Sequence, residues 1–79
     1  MGEYKVLVRR SVAEDLECIP KRDLKRVLQR IRMLARDPRP PGHEKLAGHE
    51  RYRVRQGDYR IVYSVQDDDL SVWIVNMGQ

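Results

Sequence analysis

The chain has 79 residues, and 16 Lys and Arg against 12 Asp and Glu give a formal net charge of +4. This length allows one small domain with a modest core. The single cysteine, Cys18, excludes an internal disulfide and argues against a secreted, disulfide-stabilised protein. No apolar run reaches the length of a membrane span, and the N-terminus lacks a signal-peptide pattern. These features predict a cytoplasmic protein, and the positive charge favours an acidic partner.

The first elements in the chain are a short strand and a short helix. Residues 4–8 are rich in strand-forming side chains. Ser11, followed three residues later by Glu14, has the spacing of a capping box and predicts the start of a helix. Pro20 is expected to end that helix. Cys18, close to its end, is predicted to be a small buried residue, since no pattern that activates a thiol surrounds it.

A longer helix is predicted from Lys21, because apolar residues recur at helical spacing up to residue 35. Asp37 and Pro38 end it, since a residue before proline avoids the helical conformation. The segment carries many more cations than acids, so the usual i,i+4 ion pairs are missing and a phosphate-contacting surface is predicted. Its cations, up to the following loop, are Lys21, Arg22, Lys25, Arg26, Arg30, Arg32, Arg36 and Arg39.

The second half of the chain reads as a loop followed by three strands. Residues 38–49 are rich in Pro and Gly and predict the loop. The strands are expected at about 50–56, 59–66 and 70–77, and the acidic turn 67–69 joins the last two. The predicted order is β-α-α-β-β-β. We therefore expect an α+β domain whose two helices pack on one face of a small, mainly antiparallel sheet.

The first two of these strands form a predicted hairpin, joined by the two-residue turn Gly57-Asp58. That turn sets Arg55 opposite Arg60 and Arg53 opposite Val62. Side chains alternate along a strand, so the three arginines share one face of the hairpin. The other face is apolar and consists of Tyr52, Val54, Ile61 and Tyr63. Directly opposed like charges destabilise a ladder, so this arginine trio predicts a polyanionic ligand.

With these motifs in place, the chain resembles the RelE/ParE superfamily of toxins from toxin–antitoxin pairs, and the RelE-like branch most. The resemblance extends over essentially the whole chain. It rests on Leu34-Ala-Arg-Asp-Pro38, Lys45-Leu-Ala-Gly48, Tyr52-Arg-Val-Arg55, Gly57-Asp-Tyr-Arg-Ile-Val-Tyr63 and Val72-Trp-Ile-Val-Asn-Met-Gly78. It implies a microbial-ribonuclease-like fold and a cognate antitoxin that covers the toxin. A heterotetramer of toxin and antitoxin is compatible with this resemblance. No cofactor is implied.

RelE-type members cleave mRNA in the ribosomal A site, so the resemblance implies a ribosome-dependent mRNA endoribonuclease that inhibits translation. By position, Arg53, Arg55 and Arg60 match the family's catalytic basic residues. Guanidinium groups suit the charge that develops on a phosphate in the transition state. Further contacts with RNA are expected from Lys45, Arg51, Lys25, Arg26 and Arg30.

The general base and acid stay open, because arginine does not give up its proton near neutral pH. His43, His49, Glu50 and Tyr59 are the candidates, and a solvated surface histidine is the simpler interpretation of His49. The two histidines lack a third clustered ligand, so a metal site is not predicted. Trp73, which alternates with apolar neighbours in the last strand, could stack on a base, but packing is the simpler interpretation of a single tryptophan in a small domain.

Three alternatives remain at this stage. In the family, the strand that matches residues 72–78 is followed by a basic stretch and a tyrosine, whereas this sequence ends at Gln79. The first alternative is therefore a toxin-fold protein that binds antitoxin or ribosome without cleaving RNA. The second is an inhibitor of DNA gyrase of the ParE type. The third is a generic basic module that binds nucleic acid.

Overall fold

Five strands and two helices form in the computed structural model, which describes residues 3–46 and 50–78. In chain order they are β1 (Lys5–Val8), α1 (Arg10–Glu17), α2 (Lys21–Arg36), β2 (Glu44–Leu46), β3 (Arg51–Gln56), β4 (Tyr59–Gln66) and β5 (Ser71–Gly78). The described part of the chain contains no helix that is long and apolar enough to cross a membrane.

All five strands join one sheet in the order β1-β5-β4-β3-β2. Neighbouring strands are antiparallel except β1 and β5, which are parallel. A parallel pair needs a crossover, and the two helices and the meander between β1 and β5 supply it. The expected α+β architecture, with both helices on one face of a mainly antiparallel sheet, is confirmed.

The hydrophobic core lies between the helices and one face of the sheet. Side chains alternate along β3 and β4, so every second residue is buried beneath the helices. The residues between them lie on the opposite face, which neither of the two described helices covers. From the helices the core receives Val12, Ile19, Val27, Ile31 and Leu34. From the sheet it receives Tyr52, Val54, Ile61, Tyr63, Val65, Val72, Ile74 and Met77. The face that carries these side chains is the helix-side face, and the other is the open face.

The start of α1 differs from the prediction. The helix begins at Arg10, and the N-cap is Arg9, without a capping side-chain hydrogen bond. Arg9 donates its backbone N–H to the carbonyl of Ile74 in β5, at 3.2 Å, while its own carbonyl accepts from Ala13. The sheet thus leads directly into the helix and places Ser11 inside the first turn. The predicted capping box was wrong because the pairing of β1 with β5 is not visible in local sequence.

The end of α1 also differs from the prediction. The helix stops at Glu17, three residues before Pro20, which serves instead as the N-cap of α2. Cys18 is exposed, so its predicted burial was wrong, and its neighbour Ile19 enters the core. The second helix agrees with the prediction, because it spans Lys21–Arg36 and ends before Pro38.

The predicted loop over residues 38–49 contains a strand. Residues 44–46 form β2, which pairs antiparallel with the outer edge of β3. With three residues it is too short for an alternation signal, and the open edge of β3 is what gives it a partner. The remainder of the predicted loop includes residues 47–49, which lie outside the described residues.

Candidate nucleic-acid interface

The β3–β4 hairpin has the predicted register. Arg55 lies opposite Arg60, and Arg53 lies opposite Val62. Gly57 in the turn has a φ of 59°, and Asp58 is not among the residues with positive φ. A positive φ at only the first of the two turn residues is typical of a type II′ turn, whose twist matches that of the strands. The turn therefore fixes the face on which each arginine lies.

The three arginines of the hairpin share the open face but differ in their surroundings. Arg55 and Arg60 are exposed, and no carboxylate of the described residues forms an ion pair with either of them. Arg53 is half-buried, and its Nη2 donates to Oε1 of Glu44 at 3.0 Å. Arg55 and Arg60 together concentrate unpaired positive charge on the open face, and guanidinium groups are able to bind phosphate oxygens in bidentate fashion.

Glu44 is a residue of this surface that the sequence analysis missed. The β2–β3 register sets Glu44 opposite Arg53, which places its carboxylate on the open face beside the arginines. Glu44 lies in the segment that was predicted to be a loop, so its direction could not be inferred. Unlike the arginines around it, a carboxylate has lone pairs that can accept a proton in general base catalysis.

Arg51 continues the arginine row toward the other end of β3. Its neighbours across the open face are Ser64 on β4, then Trp73 on β5, then Leu7 on β1. Trp73, which was predicted to serve packing, is half-buried on the open face and is not part of the core beneath the helices. The alternation of β5 is preserved at Trp73, and it is the absence of a helix over this face that leaves the indole accessible.

The remaining predicted RNA contacts lie elsewhere. Lys25, Arg26 and Arg30 belong to α2, which covers the helix-side face. Lys45 pairs with Tyr52, whose side chain is buried beneath the helices, so alternation directs Lys45 away from the arginines. The structure therefore brings Arg51 together with the hairpin arginines and keeps the other four cations apart from them.

Of the candidate acid–base residues that the structure describes, His43 and Tyr59 lie away from the hairpin arginines. Nδ1 of His43 lies 2.7 Å from the carbonyl oxygen of Pro40, and its ring packs edge-on against Tyr52. Tyr59 packs against the core on the helix side. His49 lies outside the described residues. Glu50 remains on the surface and accepts a hydrogen bond from the Tyr52 hydroxyl at 3.1 Å.

A second polar cluster holds the connection between α2 and β2 against the sheet. Arg39 donates from both terminal nitrogens to Asp67, at 3.3 and 3.0 Å, and from Nε to the Tyr52 hydroxyl at 3.1 Å. The Tyr4 hydroxyl donates to the same Asp67 carboxylate at 2.6 Å. The hydrogen bonds from Arg39 and then Tyr4 lower the pKa of Asp67 below its usual value. Sequence analysis assigned Arg39 to a phosphate-binding surface, but here a carboxylate of the same chain occupies it.

Tyr63 anchors the same connection from the core. Its side chain is fully buried, stacks against Tyr52 at 5.7 Å between ring centroids, and donates to the Pro38 carbonyl at 2.6 Å. Burial, followed by the charge of a Tyr52 phenolate, raises the pKa of Tyr63 to about 12. The phenol is therefore a neutral structural donor at physiological pH.

The described residues contain no group of three His, Cys, Asp or Glu side chains that could hold a metal ion. The open face therefore carries fixed positive charge on adjacent strands, the Glu44 carboxylate beside Arg53, and the half-buried indole of Trp73. Positively charged sheet surfaces with accessible aromatic rings are suited to single-stranded nucleic acid.

Solved toxin structures share this architecture. The RelE–RelB complex from Pyrococcus horikoshii contains a chain 30% identical to this one, with a TM-score of 0.84 and coverage of 95% of this chain and 92% of that chain. The RelBE2 complex from Mycobacterium tuberculosis gives 25% identity, a TM-score of 0.86 and 98% coverage of both chains. The free Escherichia coli RelE R81A/R83A mutant, at 18% identity, shows the same fold with a TM-score of 0.81, covering 100% of this chain and 84% of that chain. The class is therefore that of RelE-like toxins.

The family assignment follows from the sequence of residues 6–78, which matches the model of the ParE toxin of type II toxin–antitoxin systems. The chain belongs to this toxin family, within the RelE/ParE superfamily. Comparison with curated proteins gave no match.

Proposed function

We propose that this toxin inhibits translation by cleaving mRNA on the ribosome, with the scissile phosphate held by the open face at Arg53, Arg55 and Arg60. The observation that carries this proposal is the direct opposition of Arg55 and Arg60 on two paired strands, both exposed. Such a pair costs about 0.2–1 kcal/mol in a ladder. A phosphate oxygen bound between the two guanidinium groups would remove that repulsion.

The proposed chemistry is an attack by the 2′-hydroxyl on the adjacent phosphorus. The new bond joins the 2′-oxygen to phosphorus as the 2′-hydroxyl loses its proton. The bond from phosphorus to the 5′-oxygen breaks, and the departing 5′-oxygen takes up a proton from water, which leaves a cyclic phosphate and a 5′-hydroxyl. Arg55 and Arg60 stabilise the extra negative charge on the phosphoryl oxygens during this step. Both remain protonated throughout, so their role is electrostatic.

Glu44 is the group that this geometry favours as the proton acceptor. It lies on the same face as the arginines, and its ion pair with Arg53 orients its carboxylate. A carboxylate within hydrogen-bond distance of the 2′-hydroxyl could take its proton as the new bond forms. Arg53 would then act mainly by positioning Glu44, and Arg55 and Arg60 by binding the phosphate.

An antitoxin is the proposed protein partner. The solved relatives from P. horikoshii and M. tuberculosis were determined as toxin–antitoxin complexes. An antitoxin for this chain would have to cover a strongly basic surface, so an acidic segment is expected in it. A ribosomal target also implies that the free toxin acts in the cytoplasm.

Inhibition of DNA gyrase is the second candidate function. The observation in its favour is that the matching family model is that of ParE, although the similar solved structures are RelE toxins. The two functions differ in their earliest effect in cells. Expression of an mRNA-cleaving toxin arrests translation at once, whereas a gyrase inhibitor induces the response to DNA damage while translation continues.

The proposal is tested by Arg60→Ala in a reconstituted translation system, with cleavage of the A-site codon mapped by primer extension. Loss of one preorganised electrostatic donor should lower the cleavage rate by about 10²- to 10³-fold. Arg10→Ala, an exposed change at the start of α1, is the matched control and should cleave at the parent rate. A folded Arg60→Ala protein that cleaves as fast as the control would contradict the proposal.

A further inference from the structure

The open face has a depression of about 780 Å³ at the end of the sheet remote from the hairpin turn. Trp73 and Val75 of β5 and Ser64 of β4 contribute to its lining. Trp73 is the only tryptophan of the chain, and none of the function proposed above uses it. The indole is half-buried on a surface that also carries arginines, and it presents an apolar ring to solvent without being part of the core.

Charge is distributed asymmetrically around the depression. Arg9 and Arg51 contribute cations to its wall, and neither forms an ion pair with a carboxylate of the described residues. Elsewhere the wall contains Asp68, together with Glu50 and Asp67, whose carboxylates already accept hydrogen bonds from Tyr52 and from Arg39 and Tyr4 respectively. A phosphate is attracted to the arginines and repelled by the acids. Carboxylates are good acceptors for the N–H groups on the edges of nucleobases.

We propose that this depression is a nucleotide subsite in which Trp73 stacks on a base of the RNA substrate while Arg9 and Arg51 hold its phosphates. The subsite deepens, and rests on, the proposed RNA-cleaving function. Its chemistry is complementary to one nucleotide: an aromatic ring for the base, cations for the backbone, and acceptors at the base edge.

The subsite is separate from the reacting phosphate. Arg51 and Arg55 lie four residues apart on β3, which corresponds to about 14 Å at the rise of an extended strand. Stacked nucleotides advance by about 3.4 Å each along a strand, so the base at Trp73 belongs to a nucleotide several positions from the scissile bond. Trp73 would therefore fix the register of the RNA on the open face without touching the reacting atoms.

Because the chain has one tryptophan, its fluorescence reports directly on the subsite. The probe is a 2′-O-methyl oligoadenylate of eight nucleotides, which cannot be cleaved by attack of a 2′-hydroxyl. Titration into the full chain should quench the Trp73 emission with saturation. An abasic oligomer of the same length and charge is the matched probe, and it should bind more weakly and leave the emission nearly unchanged.

Variants test the same contact independently of emission, through the anisotropy of a labelled oligoadenylate. Trp73→Leu should weaken binding about 5- to 140-fold, since stacking on one aromatic side chain contributes about 1–3 kcal/mol per base. Trp73→Phe keeps a ring and should retain most of the affinity. Arg10→Ala removes an exposed cation that does not line the depression, so this variant should bind like the parent chain.

Two results would overturn the subsite: equal quenching by the abasic oligomer, or equal affinity of the Leu and Phe variants for oligoadenylate. Neither result depends on cleavage. If Arg60→Ala abolishes cleavage on ribosomes while Trp73 shows no base-dependent quenching, the proposed function stands and the subsite fails. If oligoadenylate quenches Trp73 but Arg60→Ala cleaves normally, the subsite stands and the proposed catalytic role fails.

Discussion

Arg55 and Arg60 face each other across the β3–β4 ladder, and both side chains are exposed to solvent. Neither guanidinium can lose its proton to relieve the repulsion. Glu44 compensates the neighbouring Arg53 instead, through the 3.0 Å ion pair. At the scale of single residues, the open face thus carries two arginines without an ion-pair partner and one carboxylate that is paired with Arg53. The proposed reaction needs both: cations to bind the phosphate and a carboxylate to accept the proton.

Glu44→Gln tests the role of the carboxylate. Gln keeps the size of the side chain and a hydrogen-bond acceptor for Arg53, but it cannot take up a proton under assay conditions. We expect the rate of single-turnover mRNA cleavage to fall about 10²- to 10⁴-fold. Binding of the variant to ribosomes, measured by co-sedimentation, should not weaken, because a negative charge near the RNA is removed. Cleavage at the parent rate would exclude Glu44 as the base.

Tyr63→Phe tests the buried phenol. Removing its hydroxyl leaves the Pro38 carbonyl without its 2.6 Å hydrogen bond and should cost about 1–3 kcal/mol in the free energy of unfolding at pH 8. The folded-state pKa of Tyr63 is raised to about 12 from 10.0, so the stability it contributes is complete below pH 10 and is lost as the pH rises to 12.

Urea unfolding of the two proteins measures this difference. The stability gap between the parent chain and Tyr63→Phe should narrow between pH 10 and pH 12, since only the parent has a buried phenol that resists ionisation. A gap that stays constant over that interval would contradict the raised pKa of Tyr63.

At the scale of elements, the main feature is the way the connection between α2 and β2 is attached to the sheet. This segment contains three prolines and has no regular structure before β2, yet it is attached to the sheet at several points. Arg39 reaches the β4–β5 turn through Asp67, and Tyr63 reaches Pro38 from β4. These contacts hold the segment that precedes β2 against the sheet, and the pairing of β2 with β3 then sets the face on which Glu44 lies.

Asp67→Asn tests the cluster through its dependence on acid. Hydrogen bonds from Arg39 and Tyr4 lower the pKa of Asp67, so its contribution to stability is present above the usual value of 3.8 and is lost as the pH falls below it. The parent should have a higher Tm than the variant at pH 7, and the difference should shrink by pH 2.5. Thermal unfolding followed by circular dichroism measures it, and an equal difference at both pH values would contradict this account.

At the scale of the whole molecule, the sheet separates two groups of cations. The open face carries Arg51, Arg53, Arg55 and Arg60. The cations of α2 lie in the helical layer, on the other side of the sheet. A short RNA bound to the open face cannot reach α2 across the core. A ribosome is large enough to contact both sides of the protein. We therefore expect the open-face arginines to bind short RNA and ribosomes alike, and the cations away from the open face to bind ribosomes only.

The double variant Lys25→Ala/Lys45→Ala tests this separation, since both lysines are exposed and lie away from the arginines. Its affinity for the octanucleotide should stay within about twofold of the parent value. Its association with ribosomes should weaken, and the slope of log affinity against log salt should fall by about one for each lysine. Equal loss of affinity for both partners would show that the two groups of cations act as one surface.

The sequence by itself determined the hairpin, the second helix and the face on which the arginines lie. These features depend on short-range rules: a two-residue turn with Gly57 first, alternation along β3 and β4, and the helical spacing of apolar residues in α2. Each is set by residues close together in the chain. The resemblance to the toxin superfamily rested on the same segments, and the family assignment confirmed it.

Only the tertiary structure decided the surroundings of those arginines. Glu44 reaches the open face because β2 adds to the edge of β3, and Arg39 is occupied because Asp67 comes from a turn 28 residues away. Alternation places Trp73 on the face opposite to its buried neighbours Val72 and Ile74, and its indole is accessible because both helices pack on the other side of the sheet. Contacts between distant segments depend on how the whole chain packs, so they cannot be inferred from the residue types of any one segment.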